Sequence, residues 1–218
     1  MAGTGRRGAA RPWSTGVPTR EEQREVKRRA LVHEAGLAFR RKGFHETSLD
    51  DIAAALGVTK AALYRYVKDK YELLYECHLV AMDLGDAALE HGRASGRNGL
   101  ERAVLTLEKF VVGYISENSA GAAIVNIAAL RDEHRAEIVR RRDRFDQGLR
   151  EFIREGIADG SVEPCDPRIA TFAIMGAINW LPRWFRPDGA LSGEAVARQL
   201  IMFFVQGLRS DASRGRPA

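Results

Sequence analysis

The chain has 218 residues, of which 45% are apolar and 29% are charged, with a net charge of +5. This apolar content excludes an intrinsically disordered protein and suffices for a small domain plus a larger one. The longest uncharged apolar run has 14 residues, from Ile169 to Pro182, which excludes a membrane-spanning helix. The N-terminus lacks the apolar segment of a secretory signal, so a cytoplasmic protein is expected. Cys77 and Cys165 are then expected to be reduced thiols.

Residues 1–19 are rich in Gly, Arg, Pro, Ser and Thr and show no hydrophobic periodicity. They include Arg6, Arg7 and Arg11 and no acidic residue. This composition predicts a disordered basic arm. Two interpretations stay open: an arm that contacts nucleic-acid phosphates, and a leader that only keeps the chain in solution.

The first predicted helix runs from Arg20 to Lys42. Leu31, Ala35 and Phe39 recur there at i, i+4 and i+8, and Gly43 follows as a helix terminator. The apolar stripe predicts that this helix packs over the two shorter helices that come next in the chain.

Two short helices joined by a tight turn are predicted after Gly43. The Thr47 hydroxyl is expected to cap the first in a capping box with Asp50, and Gly57 is expected to end it in a left-handed conformation. Thr59 then caps a second helix over residues 60–66. The connection is so short that the two helices must cross as a helix-turn-helix.

The second short helix is expected to bury Leu63 and Val67 and to leave its opposite face to the solvent. Small residues and hydrogen-bond donors on that face suit the major groove of DNA. A capping box from Asp69 to Glu72 starts the next helix directly and holds basic side chains where a phosphate backbone would run. The residues predicted to contact DNA are Thr47, Thr59, Lys60, Ala61, Tyr64, Arg65 and Lys70.

The distribution of charge supports this prediction. Residues 1–70 contain 15 Lys and Arg against 8 Asp and Glu, a net charge of +7. Residues 71–218 contain 19 against 21, a net charge of −2. The basic surplus therefore lies entirely on the side of the short helices, as a polyanion-binding module requires.

The rest of the chain is predicted to be helical, and no segment indicates a strand. A long helix from Asp69 to about Arg93 ends in a glycine-rich loop that runs from Gly92 to Gly99. The sequence therefore predicts an all-α fold of about nine helices, with a DNA-binding domain at residues 20–68 and a larger helical domain at residues 69–218. The remaining helices are predicted at residues 100–117, 121–130, 133–158, 167–184 and 192–208.

The apolar and turn positions of the N-terminal segment form a specific pattern, composed of Leu31, Ala35, Phe39, Gly43, Phe44, Thr47, Ile52, Ala53, Gly57, Val58, Thr59, Leu63, Tyr64, Lys70 and Leu73. This pattern resembles the DNA-binding domain of TetR-family transcriptional regulators over about residues 20–75. The family often has glycine at Ala61 and phenylalanine at Val67, and both departures are mild. The resemblance implies a homodimer that binds a palindromic DNA operator as a repressor and is released by a small-molecule effector.

In the TetR family the last two helices pair with their copies in a four-helix dimer interface. The apolar contact is predicted to come from Phe172, Met175, Leu200, Phe203 and Phe204. The alternative, in which these side chains only fill the core of a monomer, stays open.

The segment from Ala177 to Ser192 resembles TetR regulators that sense acyl-CoA thioesters from fatty-acid, aromatic-acid or steroid breakdown. Such a thioester needs an apolar cavity that opens onto guanidinium groups. No metal or bound cofactor is expected. The residues predicted to bind the effector are Tyr114, Asn126, Arg131, Phe145, Met175, Trp180, Arg183, Trp184 and Arg186.

Two other functions are weighed against this hypothesis. A TetR-like regulator of efflux would sense a lipophilic cation or drug, which needs acidic groups or open aromatic faces in the cavity. A helical enzyme is disfavoured because the five histidines form neither an HExxH nor a Glu-x-x-His motif. Cys77 and His78 are adjacent, so on a helix they point about 100° apart and do not form a nucleophile and base pair. No catalytic residue is predicted.

Overall fold

The computed structural model describes residues 18–116, 127–186 and 188–209. These residues form eight α-helices and one short 3₁₀ helix at Ile127–Ala129, so the predicted all-α fold is confirmed. Residues 121–126 of the helix predicted at 121–130, and most of the N-terminal arm, lie outside the described residues; the end of that predicted helix is the 3₁₀ helix. The helices are α1 Arg20–Lys42, α2 Leu49–Leu56, α3 Lys60–Leu63, α4 Lys70–Ser95, α5 Gly99–Ser116, α6 Asp132–Asp159, α7 Pro167–Trp184 and α8 Gly193–Leu208.

Local capping residues set the ends of α1 and α2. Thr19 and Glu22 form a capping box at the start of α1. The box that starts α2 is formed by Ser48 and Asp51, so the prediction that Thr47 and Asp50 cap this helix is wrong. Gly57 ends α2 at φ 66°, in the left-handed conformation that glycine adopts without steric cost.

The third helix is shorter than predicted. Thr59 caps it as expected, but the helix ends at Leu63. Turns follow, in which the Tyr66 and Val67 amides both donate to the Leu63 carbonyl, at 2.8 Å and 3.1 Å. The Val67 side chain is buried in the core.

One apolar core runs through both halves of the molecule, and α4 is the element that the halves share. Leu73, Leu74, Cys77 and Ala81 of α4 are fully buried in it. α4 packs against α1, α5 and α6. It therefore connects the N-terminal helices with the rest of the chain.

The start of α5 lies directly against the end of α6. A Cβ atom on Gly99 would stand 2.0 Å from the Gly156 backbone nitrogen, so only glycine permits this approach. The α5 terminus is capped from α6, because the Gly99 amide donates to Asp159 at 2.8 Å and the Leu100 amide donates to Ser161 at 3.2 Å. These contacts fix α5 and α6, two of the helices that line the cavity described below.

A histidine lies in the core at the middle of α4. The side chain of His78 is 1% exposed, and its Nε2 atom has no hydrogen-bond partner among the described residues. Burial, aided by the charge of Arg142, lowers the pKa of His78 to about 3. The folded protein therefore holds this imidazole neutral at pH values where an unfolded chain protonates it.

This buried imidazole makes the stability of the fold depend on pH. The free energy of unfolding is expected to be about 2 kcal/mol lower at pH 5 than at pH 7, because only the unfolded state takes up the His78 proton below about pH 6.5. Urea denaturation at both pH values and one protein concentration measures this difference. The His78→Leu variant is expected to lose most of it, and an unchanged pH dependence in that variant would contradict the assignment.

Candidate DNA-binding surface and effector cavity

The outer face of α3 is exposed, as predicted. Leu63 faces inward, whereas Lys60, Ala61 and Arg65 are exposed and the Tyr64 side chain is 53% exposed. Thr59 is also exposed, and its hydroxyl accepts a hydrogen bond from the Ala62 amide at 3.3 Å. The surface thus presents a methyl group, a phenol and basic side chains, which suit contacts with base edges and phosphates.

Lys60 is not free on this surface. Its ammonium lies 2.7 Å from Asp50 Oδ2, and this hydrogen bond raises the pKa of Lys60. Both side chains are solvent-exposed, so the pair contributes little to stability and can exchange for a phosphate.

The structure corrects the prediction for Thr47. Its side chain is 1% exposed, and its hydroxyl donates to the carbonyls of Gly43 at 2.7 Å and Ala38 at 3.3 Å. A buried hydroxyl that donates inward is not available to a phosphate. Thr47 instead ties the end of α1 to the start of α2.

The structure also corrects the prediction for Lys70. Its ammonium donates to the carbonyl oxygens of Phe44, His45 and Thr47 at 3.0–3.1 Å and lies 4.8 Å from the centre of the Phe44 ring. An ammonium has three donors, and all three are used. Lys70 therefore holds the loop between α1 and α2 against the start of α4 rather than offering its charge to DNA.

The Lys70→Met variant is expected to lower the free energy of unfolding by about 1–3 kcal/mol, because partly buried carbonyls lose their donor. The salt dependence of DNA binding is expected to stay unchanged, since no phosphate contact is lost. Urea denaturation and DNA titrations over a range of salt measure the two effects. The matched control is Lys109→Met on α5, whose exposed side chain forms no salt bridge with the described residues and lies outside the predicted DNA-binding residues. A stable Lys70→Met protein with a reduced salt dependence would show a phosphate contact instead.

A cavity of about 300 Å³ lies between α4, α5, α6 and α7. The structure places two of the predicted effector residues, Phe145 and Met175, in its wall. Tyr114 is buried and stacks on Phe110, but it does not line the cavity. Asn126 lies outside the described residues. The cavity is lined by Ala81, Met82, Gly85, Phe110, Arg141, Arg142, Phe145, Asp146, Phe172, Met175, Gly176 and Asn179.

The charged part of the cavity wall comes from one helix, α6, and Asn179 of α7 adds a neutral polar group. Arg141 is engaged by Asp83 at 2.7 Å and by Asp86, both on α4. Arg142 forms no salt bridge with the described residues, and Asp146 lies one turn further along α6. Burial raises the pKa of Asp146, and the charges of Arg150, which lies 3.9 Å away, and of Arg142 partly oppose this shift. Arg142 is therefore the cation that the cavity offers to a ligand.

The structure corrects the predictions for Trp180, Arg183, Trp184 and Arg186, which do not line the cavity. They are exposed on the outer side of α7 and just beyond its end. The Arg183 guanidinium lies 5.2 Å from the centre of the Trp180 ring, and Arg186 pairs with Asp188 at 3.5 Å. The reason is the helical period, because the inward face of α7 is taken by Ile174, Ile178 and Leu181.

The structure corrects the prediction for Arg131 as well. This side chain ion-pairs with Asp69, the N-cap of α4, and its guanidinium lies 5.6 Å from the centre of the Tyr71 ring. Nearby, the Tyr75 ring stacks on His134 at 3.9 Å, and the Tyr75 hydroxyl donates to Glu137 at 2.6 Å. Burial and this hydrogen bond raise the pKa of Tyr75 to about 12.

These contacts define a junction between the first turns of α4 and of α6. It joins the start of α4, which carries Lys70, to α6, one of the helices that line the cavity.

The last two helices carry exposed apolar stripes. Of the residues predicted for a dimer interface, Phe172 and Phe203 are exposed, whereas Leu200 and Phe204 are half-buried against the core. Gly176 and Gly207 lie on these helices with open space where a Cβ would stand, which permits another helix to approach closely. The apolar stripes comprise Ile169, Phe172, Trp180 and Trp184 on α7 and Met202 and Phe203 on α8.

Within the three described ranges, no group of three or more His, Cys, Asp or Glu side chains is placed to hold a metal ion. None of the helices that the structure describes is long and apolar enough to cross a membrane.

Comparisons with known proteins agree with this architecture. Residues 29–77 match the model of the bacterial regulatory proteins of the tetR family, and residues 96–208 match the tetracyclin repressor-like C-terminal domain. The repressor KstR2 of Mycolicibacterium smegmatis is 26% identical over 88% of this chain and 95% of its own length. The probable acrEF/envCD operon repressor of Escherichia coli K12 is 31% identical over 82% of this chain and 86% of its own length.

A solved structure of AibR in complex with isovaleryl coenzyme A and operator DNA is similar over 81% of this chain and 97% of that one. Its TM-score is 0.70 and its sequence identity is 27%. Both matched domains are those of DNA-binding regulators and not of enzymes. The chain therefore belongs to the TetR family of bacterial transcriptional regulators.

Proposed function

We propose that this chain is a homodimeric repressor that places α3 of each subunit in the major groove of a palindromic operator and leaves the operator when an acyl-CoA binds. The observation that carries the DNA-binding part is the exposed α3 face with Tyr64 and Arg65. Two copies are needed because a palindrome offers two half-sites about 34 Å apart. The apolar stripes on α7 and α8 support the pairing of two subunits.

The cavity supports an effector with a modest apolar part. A volume of about 300 Å³ lies at the lower end of the range of about 300–1,000 Å³ for ligand sites. It suits a short acyl group, whereas the nucleotide end of coenzyme A must lie outside it. Arg142 supplies the donor for a carbonyl or phosphate oxygen at the polar wall. AibR, the structural relative bound to isovaleryl coenzyme A, supports this class of ligand.

The proposed release of the repressor from its operator depends on the position of α4. Met82 and Gly85 of α4 line the cavity, and the same helix begins at Lys70 beside the helix-turn-helix. The junction of Asp69 with Arg131 and of Tyr75 with Glu137 ties the start of α4 to α6. A ligand that displaces α4 or α6 therefore changes the distance between the two α3 helices of the dimer.

A second candidate effector is a lipophilic cation. Asp146 lies in the cavity with the aromatic rings of Phe110, Phe145 and Phe172, a set of groups that attracts a cation. The similarity to the probable acrEF/envCD operon repressor favours this candidate. Arg142 opposes it, because a positive guanidinium on the same wall repels a cationic ligand.

The two candidates differ in a release experiment. The probe is a labelled duplex that the wild-type protein selects from a randomised library, and its anisotropy is followed during titration with isovaleryl coenzyme A, free coenzyme A or tetraphenylphosphonium. Release by the thioester is expected. The Arg142→Gln variant is expected to need at least about 10-fold more thioester, because a charge-assisted hydrogen bond is lost. The control is Arg144→Gln, an exposed neighbour on α6. Release by the cation alone would establish the second candidate.

A further inference from the structure

Besides the cavity, the structure has a surface groove beside α3, with a volume of about 390 Å³. We call it the basic groove. It runs between the N-terminal half of α1 and the turn that follows α3, and four of its six lining residues are basic while none is acidic. Its lining consists of Arg20, Gln23, Arg24, Lys27, Arg65 and Tyr66.

The cations of the basic groove differ from most others in the N-terminal half because they are not neutralised. None of the four forms a salt bridge with any residue that the structure describes. Most of the other positive charges in this half are engaged by neighbours, and the salt bridges are Arg28–Glu76, Arg29–Glu25, Arg41–Glu34, Lys42–Asp51 and Lys60–Asp50.

The spacing of these cations along the chain destabilises α1. Arg20, Arg24 and Lys27 follow one another at i+4 and i+3, so three like charges share one face of α1. Like charges at this spacing destabilise a helix. An anion in the basic groove removes this repulsion.

The position of the basic groove identifies the anion. Arg65 lines it and is the residue directly after Tyr64, so the basic groove continues the exposed α3 face towards α1. A duplex that receives α3 in its major groove carries a phosphate backbone at the edge of that groove. Guanidinium groups bind phosphate oxygens in a bidentate manner, and the Gln23 amide adds a neutral donor.

We propose that the basic groove binds the sugar-phosphate backbone of the operator next to the base pairs that α3 contacts. This proposal rests on the proposed function, because it requires α3 to lie in the major groove. The basic groove gives affinity without base selectivity, since phosphates carry no sequence information.

The salt dependence of DNA binding tests this proposal. The groove variant is Arg24→Ala/Lys27→Ala, and the control variant is Arg29→Ala/Arg41→Ala. The control variant removes the same charge from α1, but its two arginines form salt bridges and lie outside the basic groove. The affinity for the library-selected duplex is measured between about 50 and 200 mM salt. Each lost phosphate contact is expected to lower the slope of log K against log salt by about 0.9, so the groove variant of a dimer loses about 3.6. The control variant keeps the slope of the wild type.

A hydroxyl-radical footprint gives a second measurement. The groove variant is expected to lose backbone protection beside each half-site while the protection at the α3 contacts persists at saturating protein. Equal slopes and footprints in the two variants would contradict the proposal that the basic groove binds the operator backbone, and would leave the proposed function intact. If the wild-type protein selects no duplex at all, both the proposed function and the proposal about the basic groove are contradicted.

Discussion

The Trp180→Asp/Phe203→Asp variant is expected to be a monomer that binds the operator about 10²–10⁴-fold more weakly than the wild type. Both side chains belong to the apolar stripes, with 58% and 62% of their surfaces exposed in a single subunit. Burying such a side chain contributes about 1.5–3 kcal/mol, and each substitution occurs in both subunits. The loss of DNA affinity follows because the second half-site is no longer bound by a tethered partner. Analytical ultracentrifugation and operator titration measure the two effects.

The matched control for this variant is Val112→Asp/Val139→Asp. These two valines are also exposed apolar residues, but they lie on α5 and α6 and not in the apolar stripes. The control is expected to remain a dimer with wild-type operator affinity. A wild-type dimer in the Trp180→Asp/Phe203→Asp variant would place the subunit interface elsewhere and contradict the proposal.

The Tyr64→Ala variant is expected to bind the operator about 5- to 150-fold more weakly for each half-site, which corresponds to about 1–3 kcal/mol per lost contact. Tyr64 ends α3 on the exposed face, and no described residue on that face is larger or more rigid. The free energy of unfolding is expected to change by less than about 0.5 kcal/mol, because an exposed side chain contributes little to the core. Titration of the selected duplex and urea denaturation measure the two quantities.

Tyr64→Phe separates the contributions of the ring and the hydroxyl. If the ring packs on a base or sugar, the phenylalanine variant keeps most of the affinity, and if the hydroxyl binds a phosphate, it behaves like the alanine variant. Unchanged binding in Tyr64→Ala would show that α3 does not enter the groove.

Local signals made the helix-turn-helix predictable. Gly57 and Thr59 act through their own backbone and side-chain geometry, so the turn and the start of α3 follow from a few adjacent residues. The sequence does not fix the start of α2 to the residue, because Thr47 and Ser48 both carry hydroxyls and Asp50 and Asp51 both carry carboxylates. Packing decides between them, since Thr47 is drawn into the core.

Long-range contacts could not be predicted in the same way. Lys70 and Arg131 are basic residues in positions that suit an anion, yet each is engaged by atoms that are 23 to 62 residues away in the chain. The sequence gives no local sign of these partners. The resemblance of the segment from Ala177 to Ser192 predicts that Trp180 and Trp184 bind the effector, whereas the helical period places both on the outer side of α7.

The place of Arg142 in the cavity could be predicted from the spacing of the apolar residues along α6, although the run of arginines around it obscures this pattern. Ile138, Phe145, Leu149 and Phe152 are buried at a spacing of three and four residues along α6. Arg142 occupies the missing position of this stripe, between Ile138 and Phe145. A charged residue at a core position of an amphipathic helix is a stronger indication of a ligand site than the run of arginines around it.

The most direct test of the central claim is a hydroxyl-radical footprint of the wild-type protein on the duplex that it selects. The proposal that two subunits insert α3 into one palindromic operator predicts two protected segments, related by two-fold symmetry and separated by about 34 Å or a multiple of that distance. A single protected segment, or uniform protection without symmetry, would contradict it.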